Sequence, residues 1–206
     1  IAYGNLAALT GMKGNKNEMI ELLIKALEIQ PNYSEAHSNL GITYFEKGDI
    51  NAAIASYQQA LKLKPNYPNA RWNLSHSQLL TGNYQDGWEN FEWRWKKNDP
   101  PLLHAEPSIQ PWKGESIHEK EKLLVVSEQG LGDTIQYMRY IPYLRSKGID
   151  VTFCAQVKLH NLIKISGIDP NPLTKEQANS VSEGKWMPLL SVPRYLGVTP
   201  QNPIIT

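Results

Sequence analysis

The first half of the chain repeats itself with a period of 34 residues. The segment ALEIQPNY at positions 26–33 returns as ALKLKPNY at 60–67, so Pro31 and Pro65 hold the same place in successive copies. A second motif recurs three times at the same spacing, at positions 4–15, 38–49 and 72–83. A period of this length, with small and large residues at fixed places, is typical of stacked helical hairpins. The sequence therefore predicts an all-α solenoid of three helix pairs over residues 1–97.

Each predicted hairpin joins its two helices along a seam of small and aromatic residues. In the middle copy the seam consists of Leu40, Gly41, Tyr44, Ala53, Tyr57 and Ala60. One pair cannot bury its own apolar face, so neighbouring pairs stack into a curved array. Together with Pro65, the seam residues resemble the tetratricopeptide repeat (TPR) family in type and spacing. The first copy begins within a helix, so we expect further repeats upstream in a longer parent protein.

Three asparagines, Asn5, Asn39 and Asn73, fall at the same phase of the first helix of each pair, which is expected to face the concave side. A side-chain amide both donates and accepts hydrogen bonds, so a row of amides can hold the backbone of an extended peptide. TPR-containing O-linked N-acetylglucosamine transferases have a similar asparagine ladder. The resemblance implies a protein or peptide partner in the groove. The alternative is that asparagine is simply frequent at this place in the repeat.

The last helix of the first half, residues 84–97, is rich in aromatic side chains. Three of them follow helical spacing and are predicted to pack on the third repeat: Trp88, Phe91 and Trp95. Trp93 lies off that stripe, and Trp112 in the Pro-rich linker 98–120 or the following domain is expected to cover it in a rigid junction. An aromatic patch for a partner is the alternative. Gly87 is predicted to let another backbone approach closely.

The second half, residues 121–206, alternates between strand and helix patterns. Apolar runs predict strands at 122–127 and 148–155, with a third near 168–174. Helical patterns cover 134–146, with a kink at Pro142, and 157–166. The Pro-bounded segment 187–197 is expected to form a loop or short helix. Strand–helix–strand–helix order favours parallel pairing and a partial Rossmann-like α/β layer.

The sequence EQGLGD at 128–133 lies between the first predicted strand and helix. Asp133 and Gln136 have the spacing of a helix N-cap with its capping-box partner. The segment lacks the third glycine of a dinucleotide motif and the lysine of a P-loop, which disfavours a phosphate site. Two acids beside a bare turn suit proton acceptance from a hydroxyl or hydrogen bonding to a sugar. The alternative is that Asp133 only caps the helix and Glu128 is solvated.

The segment EQGLGDTIQYMRYIPYLRSKG, together with GWENFEWRW, PWKGE and PLLSVPRYLG, resembles bacterial TPR-glycosyltransferase proteins, which are related to heptosyltransferases. The resemblance implies a GT-B fold, in which a second Rossmann-like domain holds most of a nucleotide-sugar donor. It implies that Asp133 is the general base and that Glu128 also belongs to the catalytic site. The residues implied to line the acceptor cleft are Gln129, Gly130, Gly132, Gln136 and Ser191.

The sequence departs from this glycosyltransferase pattern at two places. It ends at Thr206, before any second domain, and Gly184 and Lys185 stand where an acidic residue is expected. We therefore expect a fragment that holds the acceptor-side half of a transferase cleft, binds no cofactor and is inactive alone. The parent protein is expected to use a nucleotide-sugar donor. The alternative is a non-catalytic protein–protein interaction scaffold.

Charge and cysteine content exclude several other classes of protein. The 21 basic and 20 acidic residues nearly balance, so a basic surface for nucleic acid is not expected. The single cysteine, Cys154, excludes an internal disulfide and a cysteine-based metal site. The five histidines have no metal-ligand spacing. No apolar run approaches the ~18 residues of a membrane span, and we expect a cytoplasmic protein.

Overall fold

A computed structural model of the protein describes residues 15–115, 122–128 and 130–199. The chain divides into two compact units, Ile1–Pro100 and Pro101–Thr206. In the described residues, no helix combines the length and the apolar character needed to cross a bilayer.

The described part of the first unit consists of helices in antiparallel hairpins. Their bounds are Lys16–Ile29 (α1), Ser34–Glu46 (α2), Ile50–Leu63 (α3), Pro68–Leu80 (α4) and Tyr84–Phe91 (α5), followed by a 3₁₀ turn at Glu92–Lys96. Asn15 and Asp49 cap α1 and α3 by accepting backbone N–H groups. Gly48 and Gly82 adopt φ values of 83° and 84° in the two hairpin turns, a conformation that favours glycine. The first helix of the first predicted pair lies outside the described residues.

The predicted seam of the middle repeat is confirmed as a close helix contact. Ala53, Tyr57 and Ala60 are fully buried, and Leu40 is 8% exposed. A Cβ atom added to Gly41 would lie 2.6 Å from the Tyr57 ring, so the glycine is needed for the ring to fit against α2.

The next hairpin uses a glycine in the same way. A Cβ atom on Gly87 would lie 3.3 Å from the backbone nitrogen of Leu79 and 2.8 Å from its side chain. The predicted close approach at Gly87 is therefore confirmed, and it brings α5 against α4.

The second unit contains a parallel sheet of four strands. The strands are Gln110–Pro111 (β1), Lys122–Val126 (β2), Asp150–Cys154 (β3) and Lys185–Pro188 (β4), in the order β1-β4-β2-β3. The helices are Leu131–Tyr137 (α6), Tyr140–Ser146 (α7), His160–Ile165 (α8), Lys175–Asn179 (α9) and Val192–Leu196 (α10). The four apolar residues of β2 are all buried, as expected for a central strand covered on both faces. The predicted parallel pairing is confirmed, whereas a complete GT-B arrangement is not.

Three sequence predictions for this unit are wrong in detail. The single helix expected at 134–146 begins at Leu131 and breaks after Tyr137, and Pro142 lies in the first turn of α7, where its missing N–H costs no helical hydrogen bond. The strand expected near 168–174 is only a single bridge between Cys154 and Leu173. The third long strand is instead β4, followed by a 3₁₀ turn at Leu189–Ser191 and by α10. The helix expected at 157–166 begins with a 3₁₀ turn at Val157–Leu159.

Candidate functional site

Helices α2, α3 and α4 enclose a cleft of about 260 Å³ in the first unit. The side chains around it are Ile42, Phe45 and Glu46 from α2, Tyr57 from α3, and Trp72, Asn73 and His76 from α4. The cleft thus lies mainly between the first helices of two successive repeats, and most of its wall is aromatic or aliphatic.

The structure places one of the three predicted peptide-binding asparagines in this cleft. Asn73 lines it, Asn39 lies one turn before Thr43 on α2, and Asn5 lies outside the described residues. The side chains of Asn39 and Asn73 are half-buried. Neither amide has a hydrogen-bond partner among residues 15–115. A partly buried amide gains stability when a partner makes its hydrogen bonds. A ligand that bonds to Asn39 and Asn73 would therefore be stabilised by both side chains.

Trp72 forms the aromatic wall of the cleft and is fixed by its neighbours. The His76 ring meets it edge-on at 4.6 Å, and His76 Nδ1 lies 2.8 Å from the Trp72 carbonyl oxygen. The Lys97 ammonium lies 3.9 Å from the centre of the Trp72 ring. Lys97 makes no ion pair with a carboxylate in the described part of the chain. The cleft therefore combines an apolar wall with the Asn73 amide and the Glu46 carboxylate, and the Lys97 cation lies over its Trp72 ring.

The aromatic residues of the last helix pack within the first unit. Phe91 of the predicted stripe lies 6.0 Å from His76 on α4, which confirms packing on the third repeat. The Trp93 ring is flanked by Arg71 at 4.4 Å and Lys96 at 3.9 Å. The Trp112 ring packs on Tyr195 in the second unit, at 4.3 Å. Trp93 therefore has cationic neighbours of its own within the solenoid.

We expect the stability of the chain to fall as the pH drops below about 6.5. Burial lowers the pKa of His76; the Trp72 carbonyl opposes this shift and Lys97 adds to it. Burial also lowers the pKa of His104 in the second unit. Since each pKa is lower in the folded state, the unfolded chain takes up the proton first. Each neutral histidine makes its full contribution to the free energy of unfolding above its pKa in the unfolded chain. This contribution is lost as the pH falls from the unfolded pKa to the folded pKa. Within that range the free energy of unfolding falls by at most about 1.4 kcal/mol per pH unit for each histidine.

Urea denaturation followed by circular dichroism at about pH 7.5 and pH 5.5, on either side of the unperturbed histidine pKa, measures this loss. His76→Gln should reduce the difference between the two midpoints, while His37→Gln on α2 serves as the control. Equal midpoints at both pH values would contradict the prediction.

The second unit has a different candidate site, at the carboxyl ends of β2 and β4. The chain runs from β2 to β3 on one side and then to β4 on the other, so the connections reverse direction between β2 and β4. Open parallel sheets bind ligands at such a reversal. Glu128 follows β2, and Ser191 ends the 3₁₀ turn after β4. Helix α6 packs beside that turn.

The predicted residues of this edge divide into a buried pair and an exposed set. Glu128 is 3% exposed and Ser191 is 1% exposed, so the interpretation of Glu128 as a solvated acid is wrong. The carbonyl oxygen of Glu128 accepts a hydrogen bond from Gln156 Nε2 at 2.5 Å. Asp133, Gly132 and Gln136 lie on the exposed side of α6. Gln129 lies outside the described residues.

The predicted N-cap of α6 is wrong by three residues. Gly130 is the N-cap, and Asp133 lies in the first turn without capping it. The Asp133 carboxylate occupies the place that a Cβ atom on Gly130 would take. A Cβ atom on Gly132 would meet no described atom within 4 Å, so packing among these residues does not require that glycine. The exposed face of α6 therefore carries the Asp133 carboxylate next to the accessible backbone of Gly132.

No sequence pattern predicts two buried polar atoms near this edge. Among the described residues, Ser127 Oγ and His104 Nε2 are buried without a hydrogen-bond partner. The backbones of the two residues are joined, because His104 N donates to the Ser127 carbonyl at 2.9 Å. The cleft residues Trp72 and His76 were also missed, although their spacing of four on one helix is a signal that they share a face.

In the described residues, no group of three or more His, Cys, Asp or Glu side chains is arranged to hold a metal ion.

Comparison with known proteins identifies the repeats. Family models described as tetratricopeptide repeats match residues 2–33 and 22–55, and a model described as TPR repeat matches 43–82. The prediction of TPR repeats is therefore confirmed. No curated protein sequence matches the chain. The comparisons provide no support for a fused glycosyltransferase domain.

Solved structures that match part of this chain include two of MamA and one of the second TPR of Spaghetti (RPAP3) bound to the HSP90 peptide SRMEEVD. The MamA structures are 24% and 23% identical, cover 45% and 46% of this chain, and both have a TM-score of 0.43. The chain spans about half of their length, at 54% and 52%. The RPAP3 structure is 15% identical, with a TM-score of 0.44, and covers 45% of this chain and 85% of its own.

Proposed function

We propose that the TPR unit binds an extended segment of a partner protein in the cleft between α2 and α4. The observation that carries the proposal is the pair of half-buried side-chain amides, Asn39 and Asn73. Neither amide has a hydrogen-bond partner in the described part of the unit. An amide offers two donors and an acceptor, which match the carbonyl and N–H of a peptide backbone. The repeat scaffold supports the proposal, because solenoids present extended concave binding surfaces.

The cleft accepts an apolar side chain of the bound segment. Phe45 and Trp72 face it from two successive repeats, and its volume of about 260 Å³ has room for one large side chain. Trp72 supplies a rigid aromatic surface that loses little conformational entropy on binding, which is the character of an interface hot spot. The RPAP3 domain named above is described with a bound peptide. For this chain, the proposal is based on its own cleft.

The test begins with a displayed library of short random peptides selected on the whole chain. Fluorescence anisotropy then measures the affinity of the selected peptides for variants. Asn73→Ala should weaken binding about fivefold, corresponding to one hydrogen bond of ~1 kcal/mol. Trp72→Ala should weaken it about thirtyfold, as for an interface hot spot of ~2 kcal/mol. The combined replacement of Asn5, Asn39 and Asn73 should have a larger effect than Asn73→Ala alone.

Asn51→Ala is the matched control, because Asn51 is exposed on α3 and does not line the cleft. It should leave the affinity unchanged. Equal affinities for the wild type, Asn73→Ala and Trp72→Ala would refute the proposed cleft, and asparagine would then be only a frequent residue of the repeat.

A second candidate function concerns the α/β unit, which we infer to supply the acceptor-side half of a sugar-transferase cleft. The specific observation in its favour is the reversal of strand order between β2 and β4, beside which α6 exposes Asp133. An exposed carboxylate at such an edge is suited to accept a proton from an acceptor hydroxyl. The donor would be a nucleotide-sugar held by another domain of a larger protein.

Asp133→Asn in the complete gene product tests this candidate. Transfer from a panel of radiolabelled nucleotide-sugars should fall by about 10²–10⁴, the usual contribution of a general base. Circular dichroism should show an unchanged fold, because Asp133 is exposed. Turnover equal to that of the wild type would remove Asp133 from the mechanism.

A further inference from the structure

The second unit contains a pocket of about 380 Å³ that is separate from both candidate sites above. Its apolar wall consists of Leu144 of α7, Met187 of β4, and Val192 and Leu196 of α10. None of the residues predicted for the acceptor cleft lines it. Small-molecule sites have volumes of about 300–1,000 Å³ and are mostly apolar, with a few polar groups. The pocket has the size and lining of such a site.

One wall of the pocket is a preformed aromatic surface. The rings of Trp112 and Tyr195 meet at 4.3 Å. Trp112 is fixed on two sides, since its backbone N–H donates to the Trp186 carbonyl at 2.7 Å and its indole N–H donates to the Glu115 carbonyl at 2.8 Å. Gly114 has a φ of 95°, and a Cβ atom there would lie 2.7 Å from the Tyr195 ring. The turn at Gly114 therefore leaves the space in which Tyr195 lies.

Among the residues that the structure describes, the charges around the pocket leave one cation without a carboxylate partner. The carboxylate of Glu115 lies 3.6 Å from the Lys185 ammonium and accepts the Lys113 N–H at 3.3 Å. Lys147 also lines the pocket and is exposed. Its ammonium lies 5.2 Å from the Tyr143 ring and makes no ion pair with any carboxylate that the structure describes. The acid of the pocket is thus compensated, whereas Lys147 can accept an anionic group.

We propose that this pocket binds a small aromatic carboxylic acid. The aromatic ring of the ligand packs against Trp112 and Tyr195, which favour offset or edge-on ring contacts. The carboxylate of the ligand lies at Lys147. A ligand of this class matches the apolar wall, the aromatic surface and the single uncompensated charge.

The experiment titrates the whole ¹⁵N-labelled chain with indole-3-propionate, followed by NMR. The neutral amide of the same compound is the comparison ligand. We expect saturable shifts of the Gly114, Lys147 and Leu196 amides, with a dissociation constant on the order of 1 mM or tighter. Lys147→Gln should weaken binding of the acid about threefold, as for an exposed ion pair, and leave binding of the amide unchanged. Lys164→Gln on α8, which does not line the pocket, is the control and should bind as the wild type does.

A second variant fills the pocket. Leu196→Trp should abolish binding of both ligands, and Ile149→Phe, at another residue that lines the pocket, serves the same purpose if the first variant does not fold. Absence of saturable shifts at the solubility limit of the acid would overturn the proposal. It would equally be overturned if Lys147→Gln bound the acid as tightly as the wild type, or if the filled variant retained binding.

Discussion

Replacing Asp169 with alanine is expected to lower the free energy of unfolding of the α/β unit by about 3–5 kcal/mol. Asp169 is 3% exposed and lies 2.6 Å from the Arg145 guanidinium. Its other oxygen accepts the Asn171 N–H at 2.8 Å. The substitution removes the carboxylate and leaves a partly buried cation without its anion, which is much more costly than the loss of a surface pair.

The position of Arg145 explains why this ion pair matters to the fold. Its guanidinium also donates to the carbonyl oxygens of Val151 in β3 and of Ile168. One side chain thus joins α7, an edge strand of the sheet and the segment that follows α8. We expect the loss of Asp169 to weaken the contacts between α7, β3 and the segment after α8. The substitution should therefore lower the stability of the whole α/β unit.

The matched control is the exposed pair of Lys122 and Glu183, whose side chains are 58% and 72% exposed. Glu183→Ala should change the urea midpoint little, since surface ion pairs contribute little to stability. Urea denaturation followed by circular dichroism measures both variants. Arg145→Met combined with Asp169→Leu should recover part of the loss, because a buried ion pair can often be replaced by apolar residues. A loss for Asp169→Ala no larger than that for Glu183→Ala would contradict this account.

The sequence predicted the repeat unit better than the α/β unit, and the reason is physical. In the solenoid each contact is local and recurs, so Leu40, Ala53 and Tyr57 could be assigned from spacing alone. In the α/β unit the break between α6 and α7 interrupts a continuous helical pattern. Similarly, β4 has only four residues, and Gly184 before it has a φ of 89°, which spacing does not predict.

The candidate sites depend on contacts that a linear pattern does not contain. The spacing from Asp133 to Gln136 fits a capping box, but the helix starts earlier and the only such box in the described residues is at Thr174 and Gln177. Glu128 is buried and forms a backbone bridge to Leu103, a residue from a segment expected to be a linker. The position of Lys97 over the Trp72 ring follows the 3₁₀ turn after α5, which no spacing in the sequence indicates. Predicting these features requires the tertiary arrangement.

The second large effect is expected for Tyr57→Ala in the solenoid, which should lower the free energy of unfolding by about 3–5 kcal/mol, the range for deleting a buried aromatic ring. Tyr57 is 2% exposed and lies against Gly41, where no side chain can fill the space left by the ring. The surrounding helices can close this cavity only by moving α3 toward α2.

Tyr57→Phe is the control, because it keeps the ring and removes only the hydroxyl. It should cost about 1 kcal/mol or less, because the Tyr57 hydroxyl makes no hydrogen bond with any residue that the structure describes. Gly41→Ala provides an independent check from the opposite side of the contact, since its Cβ atom would lie 2.6 Å from the ring and overpacking of this kind costs about 1–3 kcal/mol. Urea denaturation followed by circular dichroism measures the three variants.

Because Tyr57 also lines the peptide cleft, the same variants connect stability to binding. Tyr57→Phe should retain the affinity for selected peptides, since its ring still supports the wall formed by Phe45 and Trp72. Gly41→Ala should weaken peptide binding as well as stability, because displacement of the Tyr57 ring changes the shape of the cleft. If Gly41→Ala destabilised the solenoid but bound peptides with unchanged affinity, the ring would support the fold only and the cleft would not depend on it.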